Sequence, residues 1–136
     1  MPRISEAALR RLEKTARSAA SRAYAPYSEF PVGAAVLGST GRVYAGCNVE
    51  NASYGLCTCA ERSAVFAAVA AGERTIRAVA VYTPTMLPTA PCGACRQVIH
   101  EFGREALVIC LCDGRGRIET RLSALLPAAF GPGDLA

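Results

Sequence analysis

Apolar residues recur at helical spacing near the start of the chain, at Leu9, Leu12, Ala16, Ala19 and Ala23. This predicts an opening helix from residue 5 to about 23, capped by Ser5 and stopped by Pro26. Two short strand-like runs follow, 32–37 and 42–47, around the hairpin residues Gly38-Ser39-Thr40-Gly41. Residues 58–71 read as the strongest helix. The stretch from Ala64 to Ala71 is apolar on every face, which predicts a helix buried on all sides. Gly72 is its C-terminal stop. Residues 76–82 read as a strand, 92–102 as a helix ended at Gly103, and 107–112 and 117–120 as strands around Asp113-Gly114. The order is helix, two strands, helix, strand, helix, two strands. Helices alternating with strands in the middle imply parallel neighbours covered on both faces. The expected fold is a three-layer α/β/α sandwich with a mixed sheet of about five strands. A single domain is expected over residues 1–136.

Composition narrows the function. The chain has 136 residues, 51% hydrophobic and 19% charged, enough for a core and unlike a disordered segment. No run of 18 apolar residues predicts a membrane span. The opening Met1-Pro2-Arg3-Ile4-Ser5-Glu6 lacks the apolar stretch of an export signal, so a cytoplasmic location is expected. The net charge is +4, but the basic residues are scattered and not interleaved with aromatics, so no polynucleotide partner is expected. Seven cysteines, an odd number without an export signal, argue for reduced thiols, some of them on a metal. Cys110 and Cys112 lie in an apolar run of strand length and read as core.

Two segments carry chemistry: Thr58-Cys59-Ala60-Glu61-Arg62 and Pro91-Cys92-Gly93-Ala94-Cys95-Arg96-Gln97. Cys92 and Cys95 stand three apart at a helix start, where partial positive charge and unpaired N–H groups favour thiolates. That pair alone also fits a redox dithiol or half of a structural zinc site. Cys59 adds a third thiolate at another helix start, and Glu61 follows two residues later. Three protein ligands leave a fourth position for water, the arrangement of a catalytic zinc site. Glu61 can then accept a proton from that water without ligating the metal. Three thiolates on Zn²⁺ leave net negative charge. Arg62 is expected to hydrogen-bond a ligand sulfur and offset it. Glu61 three residues after Thr58 also fits a capping box. A closed structural zinc using Cys57 as the fourth ligand is the other competing arrangement.

The two segments resemble the cytidine deaminase family in its short three-cysteine form, with a ligand-x-Glu element and a Pro-Cys-x-x-Cys element. The similarity extends through Tyr24-Ala25-Pro26-Tyr27-Ser28-Glu29-Phe30-Pro31-Val32-Gly33-Ala34-Ala35, through residues 46–55 and through residues 125–132. The resemblance implies hydrolytic deamination of free cytidine or deoxycytidine, one zinc ion per subunit, and a homotetramer with shared sites. It implies that Asn48 and Glu50 bind the ribose 3′-hydroxyl and that Phe30 packs on the pyrimidine. It implies that the Ala60 backbone reads the pyrimidine edge. Phe130 would reach a base from a neighbouring subunit, and Ala52 and Tyr54 would border another subunit's site near the 5′ side of the sugar. Asn48 could equally be a turn residue, and Phe30 and Phe130 ordinary core. Cys57 and the loop 83–90 receive no role.

Three other readings compete. A blasticidin-type deaminase shares the metal chemistry, but Asn48-Val49-Glu50-Asn51 favours a plain nucleoside. Polynucleotide-editing deaminases usually carry His where this chain has Cys59. A zinc-stabilised binding module would need four sulfur ligands and no water.

Overall fold

The computed structural model describes residues 3–135. The export-signal reading begins on Met1 and Pro2, which lie outside them. Among the described residues, nine regular elements appear in chain order: α1 (Glu6–Ala19), β1 (Gly33–Gly38), β2 (Val43–Cys47), α2 (Ala60–Ala70), β3 (Ile76–Tyr82), α3 (Gly93–Phe102), β4 (Leu107–Leu111), β5 (Ile118–Arg121) and α4 (Leu122–Leu125), with short 3₁₀ turns between and after them. The five strands form one sheet in the order β2-β1-β3-β4-β5. β3 and β4 are parallel, and the other neighbours are antiparallel. The sheet is therefore mixed, with its parallel pair at the one place where a helix connects neighbouring strands.

Helices cover both faces. On one, Leu12 and Ala16 of α1 pack on Ala35, Leu37, Ala78, Ala80, Ile109 and Leu111. On the other, α2 and α3 place Ala60, Ala64, Val65, Ala68 and Ile99 against Ala34, Val36, Val79, Val81, Val108 and Cys110. Alternate residues of β1, β3 and β4 thus serve opposite cores, as the two-residue period of a strand dictates. Burying each Val, Leu or Ile stabilises the fold by about 1.5–3 kcal/mol. α1, at 14 residues, depends on that packing, because isolated helices of this length are marginal in water.

The opening helix is capped as expected, with the Ser5 side chain accepting from the Ala8 N–H at 3.1 Å. It ends as an α-helix at Ala19 and continues as one 3₁₀ turn over Ala20–Arg22. α2 closes in a Schellman turn. Gly72 takes φ +103°, its N–H reaches Val69 O, and the Glu73 N–H reaches Ala68 O. α2 is not buried on all sides in the chain. Ala60, Glu61, Ala64, Val65 and Ala68 are buried, but Phe66 is 52% exposed. A helix lying on a sheet buries only one stripe, whatever its composition. α2 lies close to the sheet because residue 46 is glycine. A Cβ there would stand 2.3 Å from Ala64 N and 2.6 Å from Ala60 O. α4 is too short to leave a periodic signal and was not foreseen. Among the described residues, no helix is long and apolar enough to cross a membrane.

Candidate metal centre and active site

Both cysteine segments enter helices pointing into the same region. Cys59 is the N-cap residue of α2 and Cys92 that of α3, and neither accepts a side-chain capping bond. The capping-box pairing of Thr58 with Glu61 is therefore not formed. Cys59 and Cys92 thus stand at helix N-termini, where the helix dipole favours negative charge. Cys95 lies one turn into α3, which brings its Sγ to 3.4 Å from that of Cys92. The sulfurs of Cys59, Cys92 and Cys95 all lie within 4.8 Å of one another, a set that can hold a metal ion. Cys57 is not in that set. Its sulfur is turned to Asn51, 3.3 Å from the backbone N and 3.6 Å from the backbone O.

The electrostatics suit a cation. The Cys59 thiol is lowered to about 5, first by the hydrogen bond from Cys95, then by the hydrogen bond and charge of Arg62, against the opposing effect of burial. The same contact with Cys59, followed by burial, raises Cys95 far above the ordinary thiol range. Three thiolates this close repel one another and need a compensating ion. An all-sulfur donor set with helix N-termini around it fits zinc. Arg62 Nη2 donates to Cys59 Sγ at 3.2 Å, the contact expected from the sequence.

Glu61, at 6% exposure, sits one residue into α2 beside this cluster. Burial raises its carboxyl above the ordinary value, and the Cys59 thiolate adds to that. Its own backbone N–H and Arg62 oppose the rise. A buried carboxyl with a raised pKa suits proton transfer near neutrality.

A cleft of about 420 Å³ opens over these residues, lined by Phe30, Asn48, Glu50, Cys59, Ala60, Glu61 and Cys92 among others. That volume falls in the range of small-molecule sites. A hollow of about 750 Å³ lies elsewhere, between Arg3, Leu9, Arg77 and Arg121. It includes neither the sulfur cluster nor Glu61, so size alone does not mark the site. Asn48 ties the cleft's rim together: its Oδ1 accepts from Val32 N and its Nδ2 donates to Phe30 O, both at 2.8 Å. One N–H and one lone pair of that amide stay free for a ligand. Glu50 Oε1 accepts from Tyr27 N at 2.9 Å and Ser28 N at 3.1 Å, and its Oε2 accepts from the Ser28 hydroxyl.

Five of the residues singled out in the sequence do not line this cleft: the buried ligand Cys95, its neighbour Arg62, and Ala52, Tyr54 and Phe130. Ala52 is exposed on the loop after Glu50. Tyr54 is 72% exposed and meets Tyr27 edge-on, with ring centroids 5.8 Å apart. Phe130 is exposed, its carbonyl held by Gln97 Nε2 at 3.0 Å. Conversely, Thr83, Thr89 and Ala90, from the loop without a role, form part of the cleft wall. The loop is braced by the pairing of the Thr83 and Thr85 hydroxyls at 2.8 Å and by the Asp113 N–H on Thr85 O at 2.7 Å. Ser28 also lines the cleft. Its main side-chain partner is 22 residues away, so no local pattern announces it.

Comparison with known proteins agrees with this geometry. Residues 7–111 match the family described as the cytidine and deoxycytidylate deaminase zinc-binding region. A cytidine deaminase of Sporosarcina psychrophila is 49% identical over 121 residues, covering 88% of this chain and 89% of its own. A cytidine deaminase of Mycobacterium tuberculosis is 48% identical over 124 residues, covering 91% of this chain and 90% of its own. The crystal structure of cytidine deaminase from Burkholderia pseudomallei superposes with a TM-score of 0.86 at 48% identity, covering 93% of this chain and all of the other. With the sulfur cluster and the fold both in place, the chain belongs to the zinc-binding cytidine and deoxycytidylate deaminase family.

Proposed function

We propose that the protein is a single-domain, zinc-dependent enzyme that hydrolyses cytidine and 2′-deoxycytidine to uridine and 2′-deoxyuridine with release of ammonia. The observation that carries this reading is the convergence of the Cys59, Cys92 and Cys95 sulfurs at a cleft that Cys59, Cys92 and buried Glu61 line. The three cysteines would hold the zinc ion. When bound, zinc supplies a water of lowered pKa, about 7 in favourable sites. Arg62 draws charge from Cys59 and keeps that sulfur oriented.

Glu61 takes a proton from the attacking water and delivers it to N3 of the pyrimidine. Hydroxide adds at C4, which becomes tetrahedral. Glu61 then takes the proton of the new C4 hydroxyl and passes it to the amino group, the C4–N bond breaks as the C4 carbonyl forms, and ammonia leaves. Phe30 packs on the base and the Ala60 backbone reads its edge. Asn48 and Glu50 receive the sugar hydroxyl with their free acceptor and donor positions.

The remaining assignments need a second copy of the chain. Ala52, Tyr54 and Phe130 are exposed and do not line their own cleft, and Phe66 is exposed on α2. A homotetramer would cover these surfaces and bring Phe130 and Tyr54 to neighbouring sites. A fully active monomer by light scattering would overturn those three roles. All seven cysteines are free thiols, which suits a reducing cytoplasm.

The reaction itself is tested by incubating the purified protein with cytidine and following uridine and ammonia. Turnover that disappears on chelation and returns with zinc is expected. Absence of turnover by the zinc-loaded protein would overturn the reading.

A further inference from the structure

The residues on the sugar side of the cleft are organised by a group that has no assigned task. Ser28 lies in a tight turn whose next residue, Glu29, takes φ +56° and donates its N–H to Ala25 O at 3.0 Å. A non-glycine residue in the left-handed region is uncommon and persists where surrounding bonds hold it. Here the turn directs two Ser28 atoms, N and Oγ, into three hydrogen bonds. Its hydroxyl donates to Glu50 Oε2, its backbone N–H donates to Glu50 Oε1 at 3.1 Å, and its Oγ accepts from Phe30 N at 3.1 Å.

The donor and acceptor inventory makes this arrangement informative. A serine hydroxyl has one proton, and it is committed to Glu50. Oε1 of Glu50 already accepts two backbone N–H bonds, from Tyr27 and Ser28. Oε2 accepts one bond and keeps a lone pair. Both Ser28 and Glu50 line the main cleft, and both also line an adjoining hollow of about 260 Å³ with Tyr27, Tyr54 and Cys57. The open lone pair therefore belongs to a carboxylate that stands at the junction of two ligand-accessible spaces.

We infer that Ser28 is a positioning residue for sugar recognition, locking Glu50 so that one carboxylate lone pair meets the sugar's 3′-hydroxyl. This rests on the nucleoside-deaminase reading above and adds a determinant of how the sugar is sensed. The carboxylate is held below its ordinary value, chiefly by the Ser28 hydroxyl, so it stays an acceptor across the neutral range. Removing the hydroxyl frees the Glu50 side chain to sample other rotamers and removes a charge-assisted hydrogen bond.

The test compares the zinc-loaded wild type with Ser28→Ala, Ser28→Thr and Ser28→Cys, using cytidine and 3′-deoxycytidine as substrates. Ser28→Ala should lower kcat/KM on cytidine about tenfold, mostly through KM, as expected for losing a hydrogen bond to a charged group. On 3′-deoxycytidine, which has no 3′-hydroxyl to position, the same substitution should change kcat/KM less than about twofold, within the spread of neutral changes. Ser28→Thr keeps the hydroxyl and should restore cytidine turnover. Ser28→Cys keeps the volume with a weak donor and should fall between, which preserves the test if the alanine variant folds poorly. Equal losses on both substrates, or no loss on either, would overturn the inference. Failure of the underlying reading looks different: the wild type would not deaminate cytidine at all, or would treat the two substrates alike.

Discussion

The metal side and the sugar side of the cleft are built in different ways. On the metal side, Cys59, Cys92, Cys95 and Glu61 come from the first turns of two helices packed on one sheet face, and the set is complete within one chain. On the sugar side, Asn48 and Glu50 are loop residues held by backbone N–H groups, while Tyr54 and Phe130 are exposed and do not line the cleft. Rigid packing organises the first group and hydrogen bonds organise the second. On the proposed roles, the bond-breaking groups sit on packed helices and the substrate-selecting groups on loops, where binding residues are commonly carried.

Substitutions on the two sides should therefore fail differently. The largest effect is expected for Cys95→Ala. Loss of one of three thiolates should reduce bound zinc well below one equivalent, measured by elemental analysis, and bring deamination to background. Full zinc content in that variant would break the proposed ligand set. Next comes Glu61→Gln. Zinc should remain, and kcat should fall by about 10²–10⁴-fold, the range for removal of a positioned acid–base group. Retained turnover would remove Glu61 from the proton-transfer steps.

Phe130→Ala sharpens the comparison from the other side. It should leave zinc and the fold intact and lower kcat/KM by roughly three- to tenfold, the scale of one aromatic stacking contact. Mixing this variant with inactive Glu61→Gln subunits should recover part of the activity if Phe130 serves a neighbouring site. Recovery no greater than dilution would place its effect within one chain.

The smallest effect lies away from both regions. Glu73, 2% exposed, accepts from the Tyr44 hydroxyl at 2.8 Å and from the Thr40 hydroxyl, which bridges the hairpin to the end of α2. Its carboxyl is lowered from 4.5, chiefly by Thr40. A lowered folded-state pKa contributes stability above the unfolded carboxylate value, and that contribution is lost as pH falls through the folded value. Glu73→Gln should cost about 1 kcal/mol at neutral pH. It should also flatten the fall in melting temperature on acidification, with little change in kcat. An unaltered acid dependence of melting would show that other carboxylates control it.

The metal side was legible in the sequence for a physical reason. Thiolate ligands require cysteine, and the three-residue spacing of Cys92 and Cys95 brings both onto one helical turn. Cys59 with Glu61 then supplies the missing corner. Even the Arg62 contact followed from charge bookkeeping over three sulfurs. The element order, with helices alternating with strands in the middle, likewise pointed to the three-layer sandwich. The exposed face of α2 did not emerge, because alanine counts as apolar whether it is packed or facing outward. Ser28 was passed over because its partner Glu50 lies on a different loop, and short polar residues in turns carry no periodic signal. The wall formed by Thr83, Thr89 and Ala90 was hidden for the same reason: a loop's position is set by its anchors, here Asp113 and the Thr83–Thr85 pair, not by its own pattern.

The central claim is a trigonal set of sulfurs that leaves zinc one position for water beside Glu61. X-ray absorption at the zinc edge of the purified protein reads that ligand set directly. Three sulfur neighbours at about 2.3 Å and one oxygen neighbour at about 2.0 Å are expected. A shell of four sulfurs, with Cys57 drawn in and no oxygen, would contradict the account.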